Sequence, residues 1–180
     1  MRRLIFIAWL FIPILSFSQE YLTKNGSVVF LSKAPLNEFE GKSNQLQGLI
    51  DLDKNLLDFY LDLNTLDTGI GLRDKHMRDN YLETEKYPFA EFTGKMVSLP
   101  TLSSSPQKVL AKGKFKIHGV EREISVPGEL RLLSNGRLQL EAEFVVSLED
   151  YSIDIPKLVF YELAPEQKVS IQAVFTPSKK

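Results

Sequence analysis

Residues 109–148 read VLAKGKFKIHGVEREISVPGELRLLSNGRLQLEAEFVVSL, and their pattern decides the fold. Ala111, Gly113, Phe115 and Ile117 fall on one side, with Lys112, Lys114, Lys116 and His118 on the other. That alternation is the signature of a half-buried strand. Gly119-Val120-Glu121-Arg122 is read as a turn. Ile124, Val126, Gly128, Leu130 and Leu132 then alternate with Ser125, Pro127, Glu129 and Arg131. Pro127 lacks an N–H to give to a ladder, so it predicts a strand edge or a bulge. Ser134-Asn135-Gly136 is a hairpin signal. Beyond it Leu138, Leu140, Ala142, Phe144, Val146 and Leu148 repeat the pattern.

The same pattern extends outward in both directions. Ser27–Leu31 reads as a first strand, after a weakly alternating lead from Gln19. Leu46, Gly48, Ile50 and Leu52 follow, then a turn at Asp53-Lys54-Asn55. Leu57, Phe59, Leu61 and Leu63 make the next strand, and Ala90 and Phe92 open another. Val169, Ile171, Ala173 and Phe175 make the last. Between Leu63 and Ala90 the pattern changes. Thr68-Gly69-Ile70-Gly71 breaks it, and a charged run from Leu72 to Glu85 carries Leu72, Met77, Tyr81 and Leu82 at helical spacing. This predicts a short surface helix, ended at Tyr87-Pro88. So long and structured a connection caps something or carries function.

About eight locally connected strands, apolar on one face and charged on the other, must bury the apolar face. A sandwich or a barrel would do so. Long strands in up-and-down order favour closure, which also removes exposed edges. The fold expected is all-β, an eight-stranded antiparallel barrel with a short helical cap.

The chain begins with Arg2-Arg3, an apolar run over Leu4–Leu15, and Ser16-Phe17-Ser18. That is the order of a cleavable signal peptide, residues 1–18, with cleavage near Ser18/Gln19. The run is too short to span a bilayer. Residues 19–180 are then one exported domain, periplasmic or secreted, with no transmembrane segment. Without Arg2 and Arg3, 20 basic residues face 23 acidic ones. That balance argues against a nucleic-acid partner. The chain has no cysteine, which excludes disulfides, thiol catalysis and a lipoprotein anchor.

Several segments together resemble the YceI-like family of exported lipid-binding proteins. They are Leu66-Asp67-Thr68-Gly69, Arg73-Asp74-Lys75-His76-Met77, Tyr81-Leu82, Lys86-Tyr87-Pro88-Phe89-Ala90-Glu91-Phe92 and Gly113-Lys114-Phe115-Lys116-Ile117-His118-Gly119-Val120. Their order and spacing match over about Glu20–Phe175. The resemblance implies a lipocalin-like barrel holding a polyisoprenoid or quinone-type chain in an apolar tunnel. The chain departs from it at Tyr151-Ser152-Ile153, where many members have an arginine-containing stretch ending in Phe-Gly-Ile.

The function expected is therefore an exported carrier of a long isoprenoid or fatty chain, not an enzyme. The alternative is a solid-cored structural or protein-interaction module without a lipid. Candidate lining residues are Phe59, Leu61, Phe92, Phe115, Ile117, Leu130, Leu140, Phe144, Ile171 and Phe175. Small residues on the same faces, among them Gly48, Ala90, Gly113 and Ala142, would leave volume. Leu72, Met77, Tyr81 and Leu82 would form the mouth. No cofactor is expected. No metal site is expected either, since His76 and His118 are the only histidines and lie in separate motifs. Asp74 and His76 have no Gly-x-Ser-x-Gly serine to serve. The lysines at 112, 114 and 116 read as a solubilising strip, too small a charge for membrane binding. A homodimer is left open.

Overall fold

The computed structural model describes residues 19–155 and 163–178. The expected signal peptide lies outside the described residues. The chain folds as a closed antiparallel barrel whose eight strands follow one another in sequence order. They are β1 (Glu20–Ala34), β2 (Asn37–Asp51), β3 (Leu56–Asp62), β4 (Phe89–Met96), β5 (Gln107–Ile117), β6 (Val120–Leu132), β7 (Leu138–Ser147) and β8 (Glu166–Pro177). β8 returns to pair with β1, with Phe30 opposite Val169. Among the described residues no helix is long and apolar enough to cross a membrane.

β1 starts well before Ser27, and its weak early alternation has a cause. The register with β2 shifts on both sides of Gly26, a bulge that turns over the inside–outside order. A Cβ at Gly26 would stand 3.0 Å from the Cβ of Ala173, so the bulge also lets β8 approach. The β5–β6 turn comes one step earlier than the sequence suggests, at His118 and Gly119, with φ of 53° and 75°. Two successive positive φ values are what a tight hairpin between right-twisted strands needs. The register this turn sets keeps Phe115 inward. It also brings Lys114 to Glu121, 2.8 Å away, while on the other side of β5 Lys116 pairs with Glu91 of β4 at 3.3 Å.

Pro127 marks an edge inside the closed wall. β7 pairs with β6 only where Leu138–Ala142 face Gly128–Leu132. From Val120 to Pro127, β6 pairs with β5 alone. Pro127 is the first residue past the end of the β6–β7 ladder, where a missing N–H leaves no bond unmade. A single helical turn, Glu149–Tyr151, lies beside this stretch. Its Asp150 carbonyl accepts from Arg122 Nε at 3.1 Å.

Candidate functional site

The inward faces of the strands do not meet. They enclose a cavity of about 940 Å³, at the upper end of the range for small-molecule sites. The solid-core alternative fails on this volume.

The cavity floor lies at the end of the barrel away from the cap. Phe175 and Leu138 are paired across β7 and β8 there, and both are fully buried. The Phe175 ring stands edge-on to Phe59, centroids 5.9 Å apart. Phe59 has room because it lies over Gly48, where a Cβ would come within 2.6 Å of its ring. Phe92 likewise covers the facing pair Gly94 and Gly113. These glycines therefore hold aromatic rings and leave no free volume. The space is left by other small residues, and Ala90, Ala111, Gly128 and Ala142 line it.

Of the ten interior candidates, Phe59, Leu61, Phe92, Phe115, Ile117, Leu130, Leu140, Phe144 and Ile171 line the cavity. Phe175 does not: it lies beneath the floor, with no exposed surface on either side. The aromatic set locks itself edge to face, Phe115 with Phe144 at 5.6 Å and with Tyr151 at 5.5 Å. Such pairs hold rings in fixed positions while leaving the rest of the wall smooth.

The cap closes the other end. Beyond β3 a single turn, Leu63–Thr65, leads to the helix α1 (Gly71–His76), which widens into a π-type turn over Met77–Tyr81. Leu72, Met77, Tyr81 and Leu82 all line the cavity from above. Met77 and Leu82 are buried, whereas Leu72 is largely exposed at the rim.

The charged run holds the cap by a buried cluster around Asp74. Asp74 is buried. Its Oδ1 accepts from the Thr68 N–H at 2.8 Å and the Thr68 hydroxyl at 2.5 Å. Arg73 Nε donates back to the Thr68 hydroxyl at 2.9 Å, and Nη2 to the Thr68 carbonyl at 2.8 Å. The guanidinium lies 4.4 Å over the ring of Phe39, which lines the cavity from β2. Burial raises the Asp74 pKa, but the Thr68 bonds and the charge of Arg78 outweigh it and hold the carboxyl below its usual range. Lys75 and Asp79 do form an exposed pair one turn apart. Further ties are the two backbone bonds between Lys42 and Asp67, both 2.9 Å, and the Ser43–Thr65 hydroxyl pair at 2.6 Å.

His118 joins three parts of the mouth. Nε2 is 2.9 Å from Glu83 of the cap, and Nδ1 is 3.1 Å from the carbonyl of Tyr151. The ring also packs edge-on against Tyr87, 5.0 Å away. His76 lies apart from it, on the cavity lining. Among the described residues no group of three or more His, Cys, Asp or Glu side chains could hold a metal ion.

Alternation alone does not single out Phe30, Phe39, Arg73 or Gln167, all of which line the cavity. Phe30 and Phe39 were hidden by the Gly26 bulge and the Ala34–Asn37 turn. The signal for Gln167 was available, since it shares its face with Val169, Ile171 and Ala173.

Three comparisons bear on this barrel. The family described as the YceI-like domain matches residues 21–175. The chain is 29% identical over 107 residues to the UPF0312 protein plu2095 of Photorhabdus laumondii; the match spans 55% of this chain and about half, 52%, of that relative. Among solved structures it resembles a polyisoprenoid binding domain from Saccharophagus degradans implicated in plant cell wall breakdown. That match has a TM-score of 0.76 at 20% identity and covers 89% of this chain and 99% of the other. It also resembles Burkholderia cenocepacia BcnA, with a TM-score of 0.67 at 12% identity over 84% and 96% of the two chains. A third likeness is to a Campylobacter jejuni YCEI protein, with a TM-score of 0.65 at 18% identity over 82% and 90%. At these identities the structures speak to the fold.

Proposed function

The chain belongs to the YceI-like family, and we propose that it is an exported carrier that holds a long isoprenoid or fatty chain inside the barrel. The observation that carries this is the cavity: about 940 Å³, walled mainly by apolar side chains, with polar ones such as Arg73, His76 and Gln167 among them. Empty space against carbon forfeits dispersion contacts, and a hydrocarbon restores them. Each CH₂ moved from water into such a space contributes about 0.8 kcal/mol before ordering costs. A solved relative described as a polyisoprenoid binding domain supports an isoprenoid over a compact ligand.

In this reading residues 1–18 direct export and residues 19–180 are the carrier. Phe59, Leu61, Phe92, Phe115, Ile117, Leu130, Leu140, Phe144 and Ile171 grip the chain, and Leu72, Met77, Tyr81 and Leu82 gate its entry. The work is binding and not catalysis. The protein is periplasmic or secreted, and its partner is the lipid itself.

The test is to purify the protein from its natural host, record its native mass, and extract and identify what it carries. A mass above that of the polypeptide, with a prenyl or fatty chain in the extract, is the expected result. Protein that comes out empty and then binds no prenyl or fatty chain added to it would end the proposal.

A further inference from the structure

The cavity wall is mostly apolar, with polar side chains such as Arg73 and His76 also on it, and one polar group there is left without a partner. Gln167 lies near the start of β8, on the face it shares with Val169 and Ile171, and it lines the cavity at the capped end. It is 6% exposed. Its Nε2 donates to the Ala164 carbonyl at 2.6 Å and to Ser32 Oγ at 3.3 Å. Ser32 is itself fully buried and also accepts from the Ala164 N–H at 3.2 Å. The amide orientation is settled by these partners, because a flipped amide would set its oxygen against the Ala164 carbonyl. Its Oε1 has no hydrogen-bond partner among the described residues, and it is closed to water. A buried acceptor left unmade costs more than a typical hydrogen bond contributes, and such groups are rare in folded proteins.

We infer that Gln167 Oε1 is the acceptor for a hydroxyl at the polar end of the bound chain, so that the ligand class is a long-chain alcohol or other neutral hydroxyl-terminated lipid. An amide oxygen accepts and so favours a donor. It does not favour a carboxylate, a phosphate or a carbonyl, each of which would set oxygen against oxygen. The donor reaches Oε1 once the entering chain has shifted neighbouring side chains, a rotamer-scale change common on binding. The apolar chain then extends from the capped end toward the floor, past Phe144 and Leu140. This inference rests on the carrier reading and adds a direction and a head group to it.

The test uses delipidated protein and two probes with the same twenty-carbon prenyl chain, geranylgeraniol and its methyl ether. Only the alcohol can donate. Wild-type protein is expected to bind the alcohol about tenfold more tightly, the worth of one buried hydrogen bond. Gln167→Met, checked for folding by its melting curve, should bind both probes alike. Equal affinity of the two probes for wild-type protein overturns the inference and leaves the carrier reading standing, as would a water already serving Oε1. An alcohol preference that survives in Gln167→Met overturns it too, because another group is then reading the hydroxyl. If neither probe binds wild-type protein, the carrier reading itself falls and takes this inference with it. Should Gln167→Met not fold, Gln167→Leu takes its place, and the same two outcomes decide.

Discussion

At the floor of the barrel Phe175, Leu138 and Phe59 are held by carbon against carbon, with glycine at 48 making room for a ring. At the mouth the holding groups are polar: Asp74, Arg73 and Thr68 in one cluster, His118 between Glu83 and Tyr151 in another. The cavity lies between these two ends. The difference is what a carrier of an apolar chain needs. A floor of interlocked rings resists opening, since any movement there exposes apolar surface. A mouth of short hydrogen bonds can part and re-form against water, where each bond lost is replaced. In the carrier proposed here, stability and access would then fall to opposite ends of one small domain.

Perturbing the floor should give the largest effect. Phe175→Ala removes a fully buried ring, and the expected cost is about 3–5 kcal/mol in denaturant unfolding. A cost below about 1 kcal/mol would mean the floor is not packed as described. Filling the middle should do the reverse. Ala142→Trp directs an indole into the cavity. In a packed core that would cost about 1–3 kcal/mol, whereas here the melting temperature should hardly move. Affinity for a prenyl chain should fall by about a hundredfold or more, equivalent to roughly 3 kcal/mol of lost binding. Binding that survives would place the ligand elsewhere.

The mouth should respond more mildly, and to pH. Asp74→Ala strands the Thr68 N–H and hydroxyl and should cost about 1–3 kcal/mol, with the exchange of cap amides rising first. Because the Asp74 carboxyl titrates below its unfolded value, its contribution is present above the usual carboxylate range and is lost as pH falls through the folded value. The protection factors of wild-type cap amides, corrected for intrinsic exchange, should therefore fall as pH drops below about 4, and that part of the acid response should be missing in Asp74→Ala. An unchanged response in the variant would assign it to another carboxylate. The smallest effect is at Ser152, which sits at φ 56° beside the mouth. Ser152→Gly should raise stability by up to about 1 kcal/mol, by relieving a left-handed conformation that favours glycine.

The fold was legible in the sequence because strand alternation is a local signal and this chain repeats it almost without interruption. Even Pro127, which predicts an edge or a bulge, stands at the point where the β6–β7 ladder stops. What stayed hidden depends on pairing between distant segments. The Gly26 bulge reverses the inward face of β1, so Phe30 could not be assigned to the cavity. The glycines at 48 and 113 looked like space, and only the positions of Phe59 and Phe92 show that they are filled. Phe175 alternates like a lining residue, yet it lies below the void, because alternation tells inward from outward and not depth. The Asp74–Thr68–Arg73 cluster joins residues six apart or fewer, but their spacing alone reads as a solvated helix face.

The measurement that bears most directly on the whole account is the affinity of delipidated protein for a series of prenols from ten to forty carbons. If the barrel holds its ligand by apolar burial along the cavity, Kd should fall by about tenfold or more with each five-carbon unit and level off once the cavity is full. An affinity that does not change with chain length, or no binding at any length, would contradict it.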